Sequence, residues 1–256
     1  MKIENYGVGK RCTEVMRRLL IAEEEGRLPD TLKRVIILPI PSSKDGVHVT
    51  GSERGVSEVL ADVGPGCLIS GYAIPERETE LAKARGAQVF DASLCEDFML
   101  INSRISAIGA LGYILSEIER VPSDVCFGIV GYGRIGKELV RMLMFLGGRV
   151  KVYTSREITR LQLGECGVES LYTDYSEGLV LDGVDVLINT APTSLTSSFP
   201  SGRIPNGVSV IELASGNNFG DIEGIIRLPG IPDKMYPSSA ASAYYDAIEN
   251  YIKEVF

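Results

Sequence analysis

One short stretch constrains this chain more than any other. The apolar run at residues 125–130 breaks into three closely spaced glycines, Gly131, Gly133 and Gly136, and helical periodicity resumes at residues 137–146. A buried strand, a glycine turn and a helix in this order are typical of a dinucleotide-binding βαβ unit. Gly131 permits the tight turn, Gly133 lets phosphates approach the backbone, and Gly136 allows close packing of helix on strand. Because the helix N-terminus presents free N–H groups, the stretch predicts a pyrophosphate site.

Composition and charge argue against several other classes of function. The chain of 256 residues has 26 Lys and Arg against 34 Asp and Glu, a formal net charge of −8, which disfavours general nucleic-acid binding. Its longest continuous apolar segments are far shorter than the ~20 residues that span a bilayer, and the amino end does not resemble a signal peptide. We therefore expect a cytoplasmic protein that binds no membrane. The five cysteines form no Cys-x-x-Cys pair, so we expect neither a disulfide framework nor a metal site.

The first hundred residues alternate between strand and helix patterns. Strands are predicted at residues 2–5, 34–41, 67–70 and 87–91, and helices at 8–25, 53–61 and 75–85. Alternation of this kind is typical of a parallel sheet with helices on its faces. We expect residues 1–97 to form an N-terminal Rossmann-like domain on the substrate side.

A long helix predicted at residues 96–119 leads into a second domain. Strands follow at residues 125–130, 149–154, 183–190 and 208–215, helices at 137–146 and 156–164, and a last helix from Pro237. The predicted fold class is α/β, with two Rossmann-like domains of parallel sheets joined by a long connector helix and a C-terminal helix. Residues 98–236 would form the NAD(P)-binding domain, and residues 237–256 a helix that packs back towards the N-terminal domain.

The residues after the second strand of this domain indicate which nucleotide binds. NAD-binding versions have an acidic residue there for the ribose 2′-hydroxyl, whereas this chain has Thr154, Ser155 and Arg156. Hydroxyls and a guanidinium suit a 2′-phosphate, because arginine forms charge-assisted bonds to it. NADP is the favoured cofactor, and NAD is the alternative. The other cofactor-binding candidates lie in the glycine turn and after two later strands: Gly131, Tyr132, Gly133, Arg134, Ile135, Gly136, Thr190, Ala191, Pro192, Leu213, Ala214 and Ser215.

Catalytic residues are not identified by any comparable motif. His48 is the only histidine, and it could be a cleft residue beside the substrate or an exposed loop residue. Asn102 and Ser103, near the opening of the long helix, could bind a substrate carboxylate through a helix start. They could equally serve as capping or surface residues. Arg104 is a further candidate partner for an anion.

Several segments taken together resemble a known family. In chain order they are Ile37-Leu38-Pro39-Ile40, Asn102-Ser103, the glycine turn 131–136, Thr154-Ser155-Arg156, residues 188–192, Glu212-Leu213-Ala214-Ser215 and residues 229–232. Over roughly residues 35–256 the chain resembles the A chain of dipicolinate synthase. The resemblance implies an NADP-binding C-terminal domain and a role in forming pyridine-2,6-dicarboxylate from a dihydrodipicolinate-type precursor. It also implies a separate flavoprotein-like second subunit.

These observations together predict an NAD(P)-dependent oxidoreductase that acts on a small dicarboxylate substrate and assembles as a homo-oligomer. Two alternatives stay open. The chain could be an NAD(P)-dependent dehydrogenase of the 2-hydroxy-acid type, which a His or a Lys-Asp pair facing the nicotinamide would favour. It could also be a non-catalytic, nucleotide-binding regulatory subunit, which binding without turnover would favour.

Overall fold

The computed structural model describes all 256 residues, and they divide into two compact units. Unit 1 comprises residues 1–102 and 232–256, and unit 2 comprises residues 103–231. Each unit is built around one parallel sheet, four-stranded in unit 1 and six-stranded in unit 2, with helices between the strands. This architecture confirms the predicted α/β class with two Rossmann-like units. The division falls inside the long helix, whereas the sequence patterns placed the border between residues 97 and 98.

The elements have the following bounds in chain order. The strands are β1 (Lys2–Asn5), β2 (Arg34–Ile37), β3 (Cys67–Gly71), β4 (Gln88–Asp91), β5 (Cys126–Val130), β6 (Arg149–Thr154), β7 (Glu169–Tyr172), β8 (Val186–Asn189), β9 (Ser209–Glu212) and β10 (Ile226–Arg227). The helices are α1 (Lys10–Glu24), α2 (Val56–Val59), α3 (Glu76–Ala84), α4 (Glu96–Glu117), α5 (Arg134–Phe145), α6 (Glu157–Glu165), α7 (Ile231–Met235) and α8 (Pro237–Val255).

Three differences from the sequence patterns have clear physical causes. β2 stops at Ile37, short of the predicted residue 41, because Pro39 and Pro41 cannot donate to a ladder. α5 begins at Arg134, three residues earlier than predicted, because Gly133 is its N-cap residue. β7, β10 and α7 were not predicted, since each is short and β7 and β10 are edge strands without an alternating apolar pattern.

Unit 1 has the sheet order β1-β2-β3-β4, with all strands parallel. The C-terminal helix α8 packs beside α1 on one face of this sheet. Its Tyr244 is fully buried, and the Tyr244 hydroxyl lies 2.7 Å from Ser70 Oγ on β3. The last twenty residues therefore complete the core of the N-terminal unit.

Unit 2 has the sheet order β10-β9-β8-β5-β6-β7. The chain starts at the central strand β5, builds outward through β6 and β7, and then crosses to β8 on the other side. This reversal is the topological switch point at which open α/β sheets bind ligands, outside the carboxyl ends of the strands. In the register of the sheet, Val130 at the end of β5 lies opposite Tyr153 on one side and Asn189 on the other.

The long helix α4 is unusually apolar. Its mean hydropathy reaches 1.4, so by length and composition it could cross a membrane. Uninterrupted apolar segments, on which the sequence prediction was based, did not indicate this. Ala107, Ala110 and Ile114 are fully buried in the core of unit 2, as in a core helix of a soluble protein. Four large apolar side chains of α4 are nevertheless exposed, namely Leu100, Ile101, Ile108 and Leu115.

Candidate functional site

The glycine turn after β5 is shaped by close contacts within unit 2. Gly131 has φ +85°, a conformation that glycine adopts freely, and its N–H donates to the carbonyl of Tyr153 at 2.9 Å. A Cβ at Gly131 would lie 2.9 Å from the Cβ of Ala191, and a Cβ at Gly136 would lie 2.5 Å from the carbonyl oxygen of Gly131. Packing within the chain therefore requires glycine at both positions.

Gly133 differs from the other two glycines. A Cβ added there would meet no atom within 4 Å, and its φ of −79° is accessible to any residue. Neither packing nor backbone conformation explains a glycine at this position. A group that lies directly against the backbone would explain it, as phosphates do at the second glycine of dinucleotide motifs. Gly133 is also the N-cap residue of α5 and has no side chain that could cap the helix, and helix N-termini of this kind are typical anion sites.

A cavity of about 270 Å³ opens beside this turn. Loops that follow β5, β6 and β8, all at the carboxyl edge of the sheet, contribute to its wall. The predicted cofactor-binding residues that line it are Gly131, Tyr132, Gly133, Thr154, Ser155, Arg156, Thr190, Ala191 and Pro192. Thr159 and Tyr175, which the sequence patterns did not single out, complete the lining. The fold thus brings together three segments that are separated by about twenty to sixty residues in the chain.

The β6 end of this cavity carries hydroxyls and one cation. No carboxylate lines the cavity, while Thr154, Ser155, Thr159 and Arg156 all do. Thr154 Oγ1 accepts a hydrogen bond from the N–H of Arg156 at 3.2 Å, which shapes the turn into α6. Arg156 is exposed and is the N-cap residue of α6. This chemistry suits a dianionic group better than a neutral hydroxyl.

Tyr175 has a backbone conformation that few side chains adopt. Its φ is +67°, and it is held by hydrogen bonds from its N–H to Thr173 Oγ1 at 2.9 Å and from Ser197 Oγ to its carbonyl at 2.8 Å. Burial raises the pKa of the Tyr175 phenol, and hydrogen bonding with Ser155 opposes that rise. Strain of this kind concentrates at ligand sites. No periodic pattern pointed to Tyr175, because it lies in the irregular segment between β7 and β8.

The remaining predicted cofactor-binding residues do not line the cavity. The second half of the glycine turn, Arg134, Ile135 and Gly136, forms the first turn of α5. Leu213, Ala214 and Ser215 follow β9, one strand beyond β8. Their contact with a nucleotide stays a prediction.

A buried polar network joins the loops that follow β8 and β9. Glu212 Oε1 accepts hydrogen bonds from Asn189 Nδ2 at 3.0 Å and from the N–H of Ala214 at 2.9 Å, and Glu212 Oε2 accepts one from Asn218 Nδ2 at 3.2 Å. Asn189 Oδ1 in turn accepts the N–H of Ala191 at 3.0 Å. Burial raises the pKa of Glu212, against these hydrogen bonds. One carboxyl group therefore sets the positions of both loops, a role that the apolar strand pattern around it did not indicate.

None of the candidate catalytic residues is among those that line this cavity. His48 belongs to an exposed loop of unit 1, where its Nδ1 lies 2.8 Å from Asp45 Oδ2. α4 begins at Glu96, so Asn102 and Ser103 are its seventh and eighth residues. The helix-start role predicted for them is wrong, because the free N–H groups of a helix belong to its first turn. A contact of the three side chains with a substrate stays a prediction.

Comparison with solved structures shows what the fold resembles. The A chain of dipicolinate synthase from Bacillus subtilis superposes with a TM-score of 0.74 and 19% identity, covering 99% of this chain and 96% of that chain. The corresponding chain of dipicolinate synthase from Bacillus halodurans gives a TM-score of 0.73 and 18% identity, with coverage of 98% and 97%. D-lactate dehydrogenase from Escherichia coli is more distant, with a TM-score of 0.58, 14% identity and coverage of 98% and 96%.

No protein-family profile and no curated protein sequence matches the chain. The resemblance to dipicolinate synthase is therefore confirmed as a likeness of fold over nearly the whole chain.

Proposed function

We propose that unit 2 binds NADP(H) and that the protein is an oxidoreductase. The observation that carries this proposal is Gly133, whose glycine identity no contact in the chain explains and whose missing Cβ leaves open space at the start of α5. Pyrophosphate oxygens would lie against this backbone and accept hydrogen bonds from N–H groups at the N-terminus of α5. The likeness of fold to dehydrogenases supports the same interpretation.

The β6 end of the cavity favours NADP over NAD. Arg156 would pair with the ribose 2′-phosphate, while the hydroxyls of Ser155 and Thr159 are within the same lining. An NAD-specific site would place a carboxylate here, and such a group would repel the extra phosphate. NAD is the weaker candidate because no carboxylate lines the cavity.

The other end of the site would hold the nicotinamide. The cofactor supplies hydride chemistry when it is bound, and the protein contributes position and electrostatics. Thr190, Ala191 and Pro192 line this part of the wall, and the Asn189–Glu212 hydrogen bond holds their loop against the one that follows β9. A loop tied by buried hydrogen bonds keeps its geometry when a ligand enters, which favours a defined orientation of the ring.

For the substrate we propose a small dicarboxylate of the dihydrodipicolinate type, with a cytoplasmic location and a flavoprotein-like second subunit. The support is the likeness of fold to two dipicolinate synthase structures over nearly their whole length. A 2-hydroxy-acid dehydrogenase is the second candidate, on the likeness to D-lactate dehydrogenase. The single histidine disfavours it, because His48 lies in an exposed loop, where its Nδ1 is 2.8 Å from Asp45 Oδ2.

Titration with NADPH and NADH tests the cofactor proposal. For Arg156→Ala we expect the Kd for NADPH to rise about 10–100-fold, because a charge-assisted bond is worth roughly 1.5–3 kcal/mol, and the Kd for NADH to stay unchanged. Arg203→Ala removes an exposed arginine of the same unit outside the cavity and is the matched control. Failure of the wild type to bind either nucleotide would refute the proposal, and equal losses for both would refute the 2′-phosphate contact.

Turnover then separates the candidate activities. We expect oxidation of NADPH or reduction of NADP with a dihydrodipicolinate-type dicarboxylate, and none with D-2-hydroxy acids. Turnover on hydroxy acids alone would support the dehydrogenase alternative. Tight nucleotide binding without turnover on either class, also in the presence of a flavoprotein partner, would support a regulatory role.

A further inference from the structure

The outward side of α4 is apolar in the part that belongs to unit 2. Ile108 and Leu115 are 40% and 37% exposed, although the helical repeat places them on one line with the half-buried Leu111. Beside them, Phe145 at the end of α5 is 90% exposed. We call this surface, made of Ile108, Leu111, Leu115, Met142 and Phe145, the α4–α5 face. A contiguous apolar patch of this kind marks an interaction site more often than a free surface.

The α4–α5 face has both a projection and a recess. A groove of about 310 Å³ runs between the two helices, lined by Ile108, Leu111 and Met142 and flanked by Arg104 and Arg141. The highly exposed Phe145 also lines this groove. In a symmetric dimer, the aromatic side chain of each copy could insert into the apolar groove of the other copy.

The charged residues on either side of Ile108 and Leu115 in the chain are complementary to those of a second copy of α4. Arg104 precedes Ile108 by four residues, Leu115 follows it by seven, and Glu119, just beyond the end of α4, follows Leu115 by four. This spacing is symmetric about a point between residues 111 and 112. If two copies of α4 crossed in antiparallel orientation at that point, Ile108 would meet the partner's Leu115 and Arg104 would meet the partner's Glu119. Both charged residues are exposed, so each is accessible for such a pair.

Gly112 lies next to the centre of this symmetry. It is exposed, and a Cβ added there would meet no atom within 4 Å. Glycine inside a helix costs about 1 kcal/mol relative to alanine, and nothing within the chain requires it here. Because Gly112 has no side chain, a second helix could approach α4 closely at this position.

We propose that the α4–α5 face is the interface of a two-fold symmetric dimer in which a second copy of this chain packs α4 against α4 in antiparallel orientation. The spacing of apolar and charged residues favours a second copy over other occupants. A two-fold partner places an opposite charge next to both Arg104 and Glu119. This inference is independent of the proposed function, since no residue of the face lines the nucleotide cavity.

Sedimentation equilibrium of the full chain tests the proposal. We expect the wild type to dimerise at low micromolar concentration and Phe145→Glu to raise the dimer Kd about 30-fold or more, as for loss of an interface anchor. Leu161→Glu changes a side chain of α6 that is 60% exposed and lies outside the face, so its Kd should match the wild type. A wild type that stays monomeric at ~100 µM would overturn the proposal, as would a dimer that Phe145→Glu does not affect.

Charge reversal tests the antiparallel register. Arg104→Glu and Glu119→Arg should each weaken the dimer by placing like charges together, whereas the double variant should recover most of the wild-type affinity. A double variant that is as weak as the single ones would overturn the register. Co-sedimentation of a monomeric wild type with phosphatidylcholine–phosphatidylglycerol vesicles would instead assign the face to a lipid surface and overturn the dimer.

Discussion

The glycine turn contains three glycines whose environments differ: Gly131, Gly133 and Gly136. Gly131 has a positive φ and a crowded Cβ position, and Gly136 has a Cβ position 2.5 Å from a backbone oxygen. Gly133 has neither constraint, because its Cβ position is open. Packing within the chain therefore requires glycine at the first and third positions and does not require it at the second.

Alanine substitutions separate these two roles. We expect Gly136→Ala to destabilise the protein by roughly 1–3 kcal/mol, because the backbone of Gly131 would have to shift. Gly133→Ala should leave the midpoint of thermal unfolding nearly unchanged while it weakens NADPH binding about tenfold or more. Thermal unfolding followed by circular dichroism and calorimetric titration measure the two effects. If Gly133→Ala bound NADPH like the wild type, the open space at this position would have no role in binding.

At the scale of elements, β1 is an edge strand that an ion-pair network ties to β2. Arg34 Nε donates to Glu4 Oε1, and Arg34 Nη1 donates to Asp62 Oδ1 at 2.9 Å. Burial alone would raise the pKa of Glu4, but the hydrogen bonds from Arg34 and Lys2 outweigh it and lower the pKa from 4.5 to about 2. A carboxyl group whose pKa falls on folding stabilises the folded state only while it is ionised.

The sign of this effect gives a pH dependence. The contribution of Glu4 is fully present above its unfolded value of 4.5 and is lost as the pH falls towards 2. Glu4→Gln should therefore reduce the free energy of unfolding by about 1–2 kcal/mol at neutral pH, and the difference from the wild type should vanish near the folded pKa. Urea unfolding across this pH range measures it. Glu53→Gln, at an exposed loop position, is the control. A difference that persisted unchanged in acid would refute the ionic origin.

At the scale of the whole molecule, the chain leaves unit 1 and returns to it. Phe98 and Tyr244 pack with ring centroids 5.5 Å apart, and Ala241, Ile248 and Ile252 of α8 are buried in the same core. Unit 2, in contrast, is one continuous segment of the chain, and it contains all of α4 except the first seven residues of that helix. The two units therefore depend on the C-terminal helix to different extents.

Truncation tests this dependence. A fragment of residues 96–231 keeps the whole of α4 and should unfold cooperatively and bind NADPH. Removal of residues 237–256 from the full chain should unfold unit 1, since large buried side chains each contribute about 2–5 kcal/mol. Hydrogen exchange resolved by peptide can follow both units in one sample. Protection of unit 1 that survived the deletion would contradict the prediction.

Local sequence determined most of the secondary structure and the glycine turn. Apolar runs, helical periods and glycines act over a few residues, so the strand at residues 126–130, the turn and the helix after it could be predicted from neighbours alone. The fold class followed, because alternating strands and helices have few other ways to bury their apolar faces.

Tertiary structure decided which of these segments meet. The sheet order β10-β9-β8-β5-β6-β7 places the loops after β5, β6 and β8 around one cavity and adds Tyr175 to it. It also buries Glu212 where its carboxyl group joins two loops. These features depend on contacts between residues far apart in the chain, and no local pattern encodes them. The sequence by itself thus determined the elements and the glycine turn after β5, and the packing of the sheet decided which distant residues line the cavity beside that turn.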